Sequence, residues 1–472
     1  MYYLLKNYKT SMALSLILFC GCQSKKIPLV DKKPVVEYKT ASSASLRSFT
    51  QVILNNGLKI YFISDKSLPR LSLNLLLKTG QIYEENNLSG INFLTAHLLD
   101  KGTSTKTAGD LADQTADLGA SFNAQAGNDF TVFSMDALTP SQDLLLQLFS
   151  DIIRNPKFED TEIRRLKKLV LASLEQKKDD PASFADQMAS EYLFLAHPYG
   201  RDGEGSKKSL ANINKKQIIQ YYLNHYRPNN AILAVAGNFD EDFKRKVAEN
   251  FSSWVSRPTK VNLPAEISPL SKTEFRFIHK SGLNQVQLRF MQPGLRRTDT
   301  EYLQLRLINS ALGGDFLSRL NQTIRYKLGL TYSISSSFAS FQQKGSFEIS
   351  TFTKNQSTAQ VIDTTLDIVR EFVKSGLTES ELESAKKQAL GQFPRTIETV
   401  DSFAFNLMIL DYYGISYDYL KNFDSELKKV SLNQINATLR KILDPDKFKV
   451  LIYGDRSKIQ PQLKKYSPEI LN

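Results

Sequence analysis

The chain predicts an α+β fold of two similar domains, each an antiparallel sheet with helices packed on one face. Three observations predict it. Strands and helices recur in the same order at an offset of about 210 residues. Paired strands joined by short turns point to antiparallel hairpins. Each copy closes on an apolar strand, over 231–237 and 448–454.

In the first copy, 58–63 and 71–78 read as strands, and a helix over 91–100 stops at Gly102. Ala108, Leu111, Ala112 and Leu118 place a second helix, stopped by Gly119. Phe122, Ala124 and Ala126 alternate in one hairpin arm, and 130–135 form the other. Thr139-Pro140 supplies a cap and a first-turn proline for a helix over 144–153, which ends at Asn155-Pro156. A long charged helix over 162–177 ends before Pro181. The second copy repeats the order. Strands over 275–279 and 286–291 precede a helix over 301–312, stopped by Gly313-Gly314. A helix over 316–327 and strands over 332–338 and 346–352 follow. A helix over 359–373 stops at Gly376, and Thr378 with Glu381 forms a capping box for a helix to Leu390. The expected organisation is a first domain over 49–253, a linker over 254–268 and a second domain over 269–472.

At 472 residues, 41% hydrophobic and 23% charged, the chain has a globular composition and room for two to four domains. Half of the net charge of +12 sits in the first 48 residues, where eight Lys or Arg face only Asp31 and Glu37. No dense basic stripe marks the remainder, so nucleic acid is excluded as a partner class. Both cysteines, Cys20 and Cys22, lie in that leader. Lys6 and Lys9 precede an apolar run over 12–20, which suits a signal peptide and is too short to span a bilayer. Phe19-Cys20-Gly21-Cys22 resembles a bacterial lipobox. The resemblance implies a lipoprotein signal peptide over 1–21, lipidation at Cys22 and a flexible tether over 22–48. Gln23 after that cysteine implies the outer membrane of the cell envelope, facing the periplasm. The other reading is an ordinary secretory signal cleaved nearby.

Residues 89–103 read Ser-Gly-Ile-Asn-Phe-Leu-Thr-Ala-His-Leu-Leu-Asp-Lys-Gly-Thr. This segment resembles the zinc-site helix of the inverted zincins of the insulinase/pitrilysin type, peptidase family M16, which carry His-x-x-Glu-His before a Lys-Gly-Thr turn. Further matches follow in order: Leu118-Gly119-Ala120, Asn123-Ala124, Asn155-Pro156, His197-Pro198-Tyr199-Gly200 and Arg227-Pro228-Asn229-Asn230-Ala231. The resemblance covers most of 52–455 and implies the duplicated M16/LuxS-like metallohydrolase architecture, two halves of which close as a clamshell.

Alignment on the Lys-Gly-Thr turn puts Phe93 at the first histidine, Ala96 at the glutamate and His97 at the second histidine. The third ligand, a glutamate on the long helix, falls on Ser173, and its supporting acid on Leu166. Glu175 lies two residues on, about 200° around the helix. A catalytic zinc needs three protein ligands, an open position and a base. The sequence therefore implies no metal, no catalytic residue and no cofactor in this chain, with zinc expected only in a partner subunit. His197, His225 and His279 follow no ligand spacing.

A different feature is kept. Relatives carry an Arg and a Tyr seven residues apart after a Gly-rich turn, and these bind substrate backbone near the zinc of the facing half. Arg325 and Tyr332 match that spacing after Gly313-Gly314. The strand over 128–135 matches the family strand whose edge takes up substrate. Together these imply a complementing subunit that forms a heterodimer with a metal-bearing homologue and binds peptide. A stand-alone peptide-binding or scaffold lipoprotein is the second reading, and an active zinc peptidase the third.

Overall fold

A computed structural model describes residues 46–258 and 263–471. The expected signal peptide, Cys22 and nearly all of the expected tether lie outside the described residues, as do residues 259–262 of the linker. The first domain contains strands β1 (Thr50–Ile53), β2 (Lys59–Ser64), β3 (Arg70–Leu77), β4 (Asn123–Ala126), β5 (Thr131–Leu138) and β6 (Ala231–Gly237). Its helices are α1 (Ile91–Leu98), α2 (Ala108–Asp117), α3 (Gln142–Arg154), α4 (Asp160–Asp179), α5 (Pro181–Phe194), α6 (Lys207–Asn212), α7 (Lys215–His225) and α8 (Glu241–Ser252). The second domain has β7 (Glu274–His279), β8 (Gln285–Pro293), β9 (Ile334–Ala339), β10 (Ser346–Lys354), β11 (Lys449–Gly454) and β12 (Glu469–Leu471). Its helices are α9 (Tyr302–Asn309), α10 (Thr358–Ser375), α11 (Glu379–Gln392), α12 (Val400–Tyr412), α13 (Asp418–Lys429), α14 (Leu432–Ile442) and α15 (Arg456–Leu463).

The two six-stranded sheets have orders β1-β2-β6-β3-β5-β4 and β12-β7-β11-β8-β10-β9. Apart from the short outer strands β1 and β12, the order is the same, so the sequence repeat is a repeat of topology. The sheets are mixed where purely antiparallel ones were expected: β6 runs parallel to β2, and β11 and β12 run parallel to β7. The cause is the closing strand, which returns after a run of helices and can enter beside the first strand in its own direction.

Each sheet gathers its own helices on one face. On β3, Leu71, Leu73, Leu75 and Leu77 point into that core, and Ile60, Phe62, Leu233 and Val235 join them from β2 and β6. The other face is not left to solvent. Tyr61, Ile63, Leu76, Ile232 and Ala234 pack against Phe403, Leu407 and Met408 of α12, a helix of the second domain. Reciprocally, α5 of the first domain lays Ala185, Ala189, Tyr192 and Leu193 on Ile278, Met291, Leu451 and Tyr453 of the second sheet. Burial on both faces explains why β6 reads as an unbroken apolar run.

Ion pairs fix both exchanged helices. Asp401 on α12 accepts from Arg70 at 2.7 Å and from the Ser72 hydroxyl. Asp411 accepts from Lys59 at 2.6 Å and Tyr61 at 3.1 Å. On the opposite side, Arg289 is nearly fully buried and donates to Asp186 of α5 at 2.6 Å, while Lys449 donates to the Tyr192 carbonyl at 2.7 Å. Asp180 caps α5, accepting from the Ala182 and Ser183 amides, with Pro181 in the first turn.

Candidate functional site

The site is built on two helices of the first domain. Gly90 adopts φ +91 in front of α1, and a Cβ there would come within 2.6 Å of the Glu204 carbonyl oxygen, so the helix begins on a glycine. Glu84 satisfies the first-turn amides, accepting from Gly90 at 3.0 Å and Asn92 at 2.9 Å. Burial pushes this carboxyl up to about 7, against the opposing effect of those amides and of Arg201.

Along α1, Ala96 is fully buried in the core, while Phe93 and His97 are half-buried. The two rings stack at 4.0 Å, and His97 Nδ1 lies 2.9 Å from the Phe93 carbonyl oxygen. That nitrogen donates its proton into the helix, so the imidazole is engaged with its own turn. Ser173 sits half-buried on α4, in no side-chain hydrogen bond among the described residues. Leu166, two turns earlier on nearly the same face, packs against the core. Glu175 is exposed and pairs with Lys178 at 2.9 Å. A divalent zinc would meet a benzyl ring, a methyl group and a hydroxymethyl around one committed imidazole. The residues do not fit the metal. Among the described residues, no three His, Cys, Asp or Glu side chains are grouped to share a metal ion.

The remaining histidines lie elsewhere. His197 Nε2 donates to Gln343 Oε1 at 2.6 Å and its Nδ1 accepts from the Tyr199 amide at 3.2 Å. His225 packs on Tyr221, and His279 accepts from the Arg456 amide. His197 belongs to a polar junction between the domains that the sequence did not reveal. There buried Asp129 accepts from the Tyr199 and Tyr413 hydroxyls and the Gln342 amide, the last at 2.7 Å. Burial raises its carboxyl above the usual range. No short-range signal could have found it, because its members come from four distant parts of the chain.

The expected substrate edge also moves. The strand matched over 128–135 becomes β5, which pairs with β3 on one side and β4 on the other. The free edge belongs to β4, whose Asn123 and Gln125 are exposed and which packs beside α1.

In the second domain, α9 continues into a π-helical turn, Ser310–Gly314, and the expected helix over 316–327 starts later, after a turn, running mostly as a π-helical segment, Asn321–Lys327. The wide i→i+5 spacing leaves the Leu328 amide on the Thr323 carbonyl at 3.0 Å. Gly313 is required by contact: a Cβ would lie 2.6 Å from Ser336 Oγ on β9. Thr331 is buried and donates to the Phe352 carbonyl at 2.6 Å, anchoring the loop. Its neighbour Tyr332 is thrown outward and is 81% exposed. Arg325 stands in no salt bridge among the described residues, with its guanidinium carbon 5.0 Å from the Phe316 ring and 5.2 Å from the Tyr326 ring. The pair and the degenerate helix lie on different domains and, among the described residues, share no hydrogen bond or ring contact.

Comparison with known proteins fits this geometry. The sequence model of the insulinase family, peptidase family M16, matches residues 59–202, and that of the peptidase M16 inactive domain matches 212–389. An uncharacterised zinc protease of Rickettsia felis is 30% identical over 298 residues, covering 63% of this chain and 71% of its own. The chain belongs to peptidase family M16. An uncharacterised zinc protease of Bacillus subtilis is 25% identical over 83% of this chain and 95% of its own. A peptidase M16 inactive domain from Pseudomonas fluorescens superimposes with a TM-score of 0.80 at 26% identity, covering 86% of this chain and 98% of that one. A protease from Helicobacter pylori shares the fold, with a TM-score of 0.79 at 18% identity over 86% of this chain and all of its own. This M16 chain therefore keeps the family fold on both domains while its α1 and α4 carry no zinc ligand set.

Proposed function

We infer that this chain is a non-catalytic M16 subunit that binds peptide and lends Arg325 and Tyr332 to a metal-bearing homologue. The observation that carries the reading is one of contrast. Phe93, Ala96 and Ser173 stand where the resemblance places ligands and base, while Tyr332 is exposed and half-buried Arg325 has no ion-pair partner among the described residues. A guanidinium donates to a peptide carbonyl, and a phenol donates to a carbonyl oxygen that gains charge. Both act on substrate held from the outside, which is what a complementing subunit contributes. The zinc belongs to the partner. Anchoring through acylated Cys22 at the outer membrane, facing the periplasm, would hold the pair in the envelope.

Affinity purification from native envelope tests this. A homologue with an intact His-x-x-Glu-His should co-purify, and Arg325→Ala and Tyr332→Phe should abolish peptide cleavage by the complex. Recovery of this chain alone, or full activity in both variants, would refute it. A second reading, a stand-alone peptide-binding lipoprotein, draws on the free edge of β4, which can pair with an extended peptide without any metal. Under that reading peptide binds, but no homologue accompanies the chain.

A further inference from the structure

Exposed large apolar side chains are concentrated in one segment of the second domain. Phe316, Leu317, Tyr326, Leu328 and Tyr332 are 59%, 70%, 43%, 43% and 81% exposed, and all fall within 17 residues. The charge of this segment is one-sided. Between 316 and 332 stand Arg319, Arg325 and Lys327 and no Asp or Glu. Arg319 is neutralised by Glu381 at 2.6 Å. Arg325 and Lys327 are in no salt bridge among the described residues. The Phe316 and Tyr326 rings meet edge to face at 5.1 Å, and the Arg325 guanidinium lies against both.

We propose that Phe316, Tyr326 and Arg325 form one recognition unit that selects an acidic side chain, flanked by apolar ones, in an extended peptide. Two rings against a guanidinium restrict its rotation while leaving N–H donors free, so the pre-organised fork can hold a side-chain carboxylate in addition to a backbone carbonyl oxygen. Leu317, Leu328 and Tyr332 supply apolar surface for the neighbouring side chains. Lys327 adds a second unpaired cation. Phe316 and Tyr326 are positioning residues, since they act through Arg325. The proposal rests on the reading above that this loop faces peptide, and it adds what kind of peptide.

The test uses the purified chain and two fluorescein-labelled probes, Ser-Ser-Leu-Glu-Leu-Ser-Ser and its Gln counterpart, both with blocked termini, read by fluorescence polarisation. The Glu probe should bind about tenfold more tightly than the Gln probe, the worth of a charge-assisted hydrogen bond. Arg325→Ala should erase that preference. Phe316→Ala and Tyr326→Ala should each reduce it about two- to fivefold, as loss of an exposed cation–π contact would. Phe316→Tyr should restore it, because an aromatic face is all that is required. Equal affinity for the two probes, or no binding of either, overturns the acidic preference. A preference that survives both ring-to-Ala changes overturns the positioning role. These outcomes stand apart from the fate of the complementing reading, which depends on whether a metal-bearing homologue co-purifies.

Discussion

On two helices, three side chains stand where the family resemblance places zinc ligands and base, and the two on α1 are integrated into their surroundings in a way that opposes a metal. Ala96 is sealed in the core, so a carboxylate there would need room that the packing does not leave. Phe93 covers His97, and His97 is turned toward its own helix. Adding zinc or a chelator to the purified chain should leave its melting temperature unchanged, because a ligand stabilises only what it binds. A shift of several degrees on zinc addition, reversed by chelator, would show a ligand set that this geometry does not provide. The substitutions were legible in the sequence because helical spacing places 93, 96 and 97 on neighbouring positions of one short segment. The Asp129 junction was not legible. Its tyrosines at 199 and 413 and its amide at 342 are brought together only by the folding of both domains.

Among the elements, the two exchanged helices carry the most weight. Phe403 of α12 is fully buried and stands among Phe49 and Tyr417, over the face of the first sheet that bears Tyr61. Phe403→Ala should cost about 3–5 kcal/mol, the usual price of deleting a buried aromatic ring. Although the residue belongs to the second domain, the loss should appear in one cooperative transition, measured by denaturant unfolding with fluorescence and circular dichroism coinciding. On the second sheet, Glu348 lies 3.7 Å from Arg289 beside Asp186 of α5. Burial pushes its carboxyl up to about 7; Arg289 opposes the shift and Asp186 adds to it. The folded state thus holds this proton more tightly than the unfolded chain, whose glutamate titrates near 4.5. Its stabilisation is complete below that value and fades as pH rises through about 7, a swing of roughly 3 kcal/mol at most. Glu84 shifts in the same direction over the same window. The melting temperature should fall between pH 5 and pH 8, and Glu348→Gln should flatten part of that fall. An unaltered slope in the variant would place the titration elsewhere.

Across the molecule, the described residues from 46 to 471 form one compact unit although they contain two topologically equivalent sheets. The repeat of order, the paired hairpins and the apolar closing strands were all readable along the chain, since each depends on local period and turn chemistry. The exchange of α5 and α12 was not. Nothing within a helix states which sheet it will cover, and the sequence pointed to helices on one face only, although the unbroken apolar run of β6 is what burial on both faces produces. The consequence is that neither domain is complete. Without α12, the first sheet would present Ile63, Leu76, Ile232 and Ala234 to water; without α5, the second would present Ile278, Leu451 and Tyr453. Exposed apolar faces of that kind drive association. Expressed separately, 46–258 and 263–471 should each be aggregation-prone and lack a cooperative melt. Co-expressed, they should assemble into a soluble one-to-one complex, because each then recovers the helix its sheet lacks. Size-exclusion chromatography with light scattering distinguishes the cases. Two soluble monomeric halves, each with its own sharp transition, would mean that the exchanged helices decorate two independent domains and do not complete them.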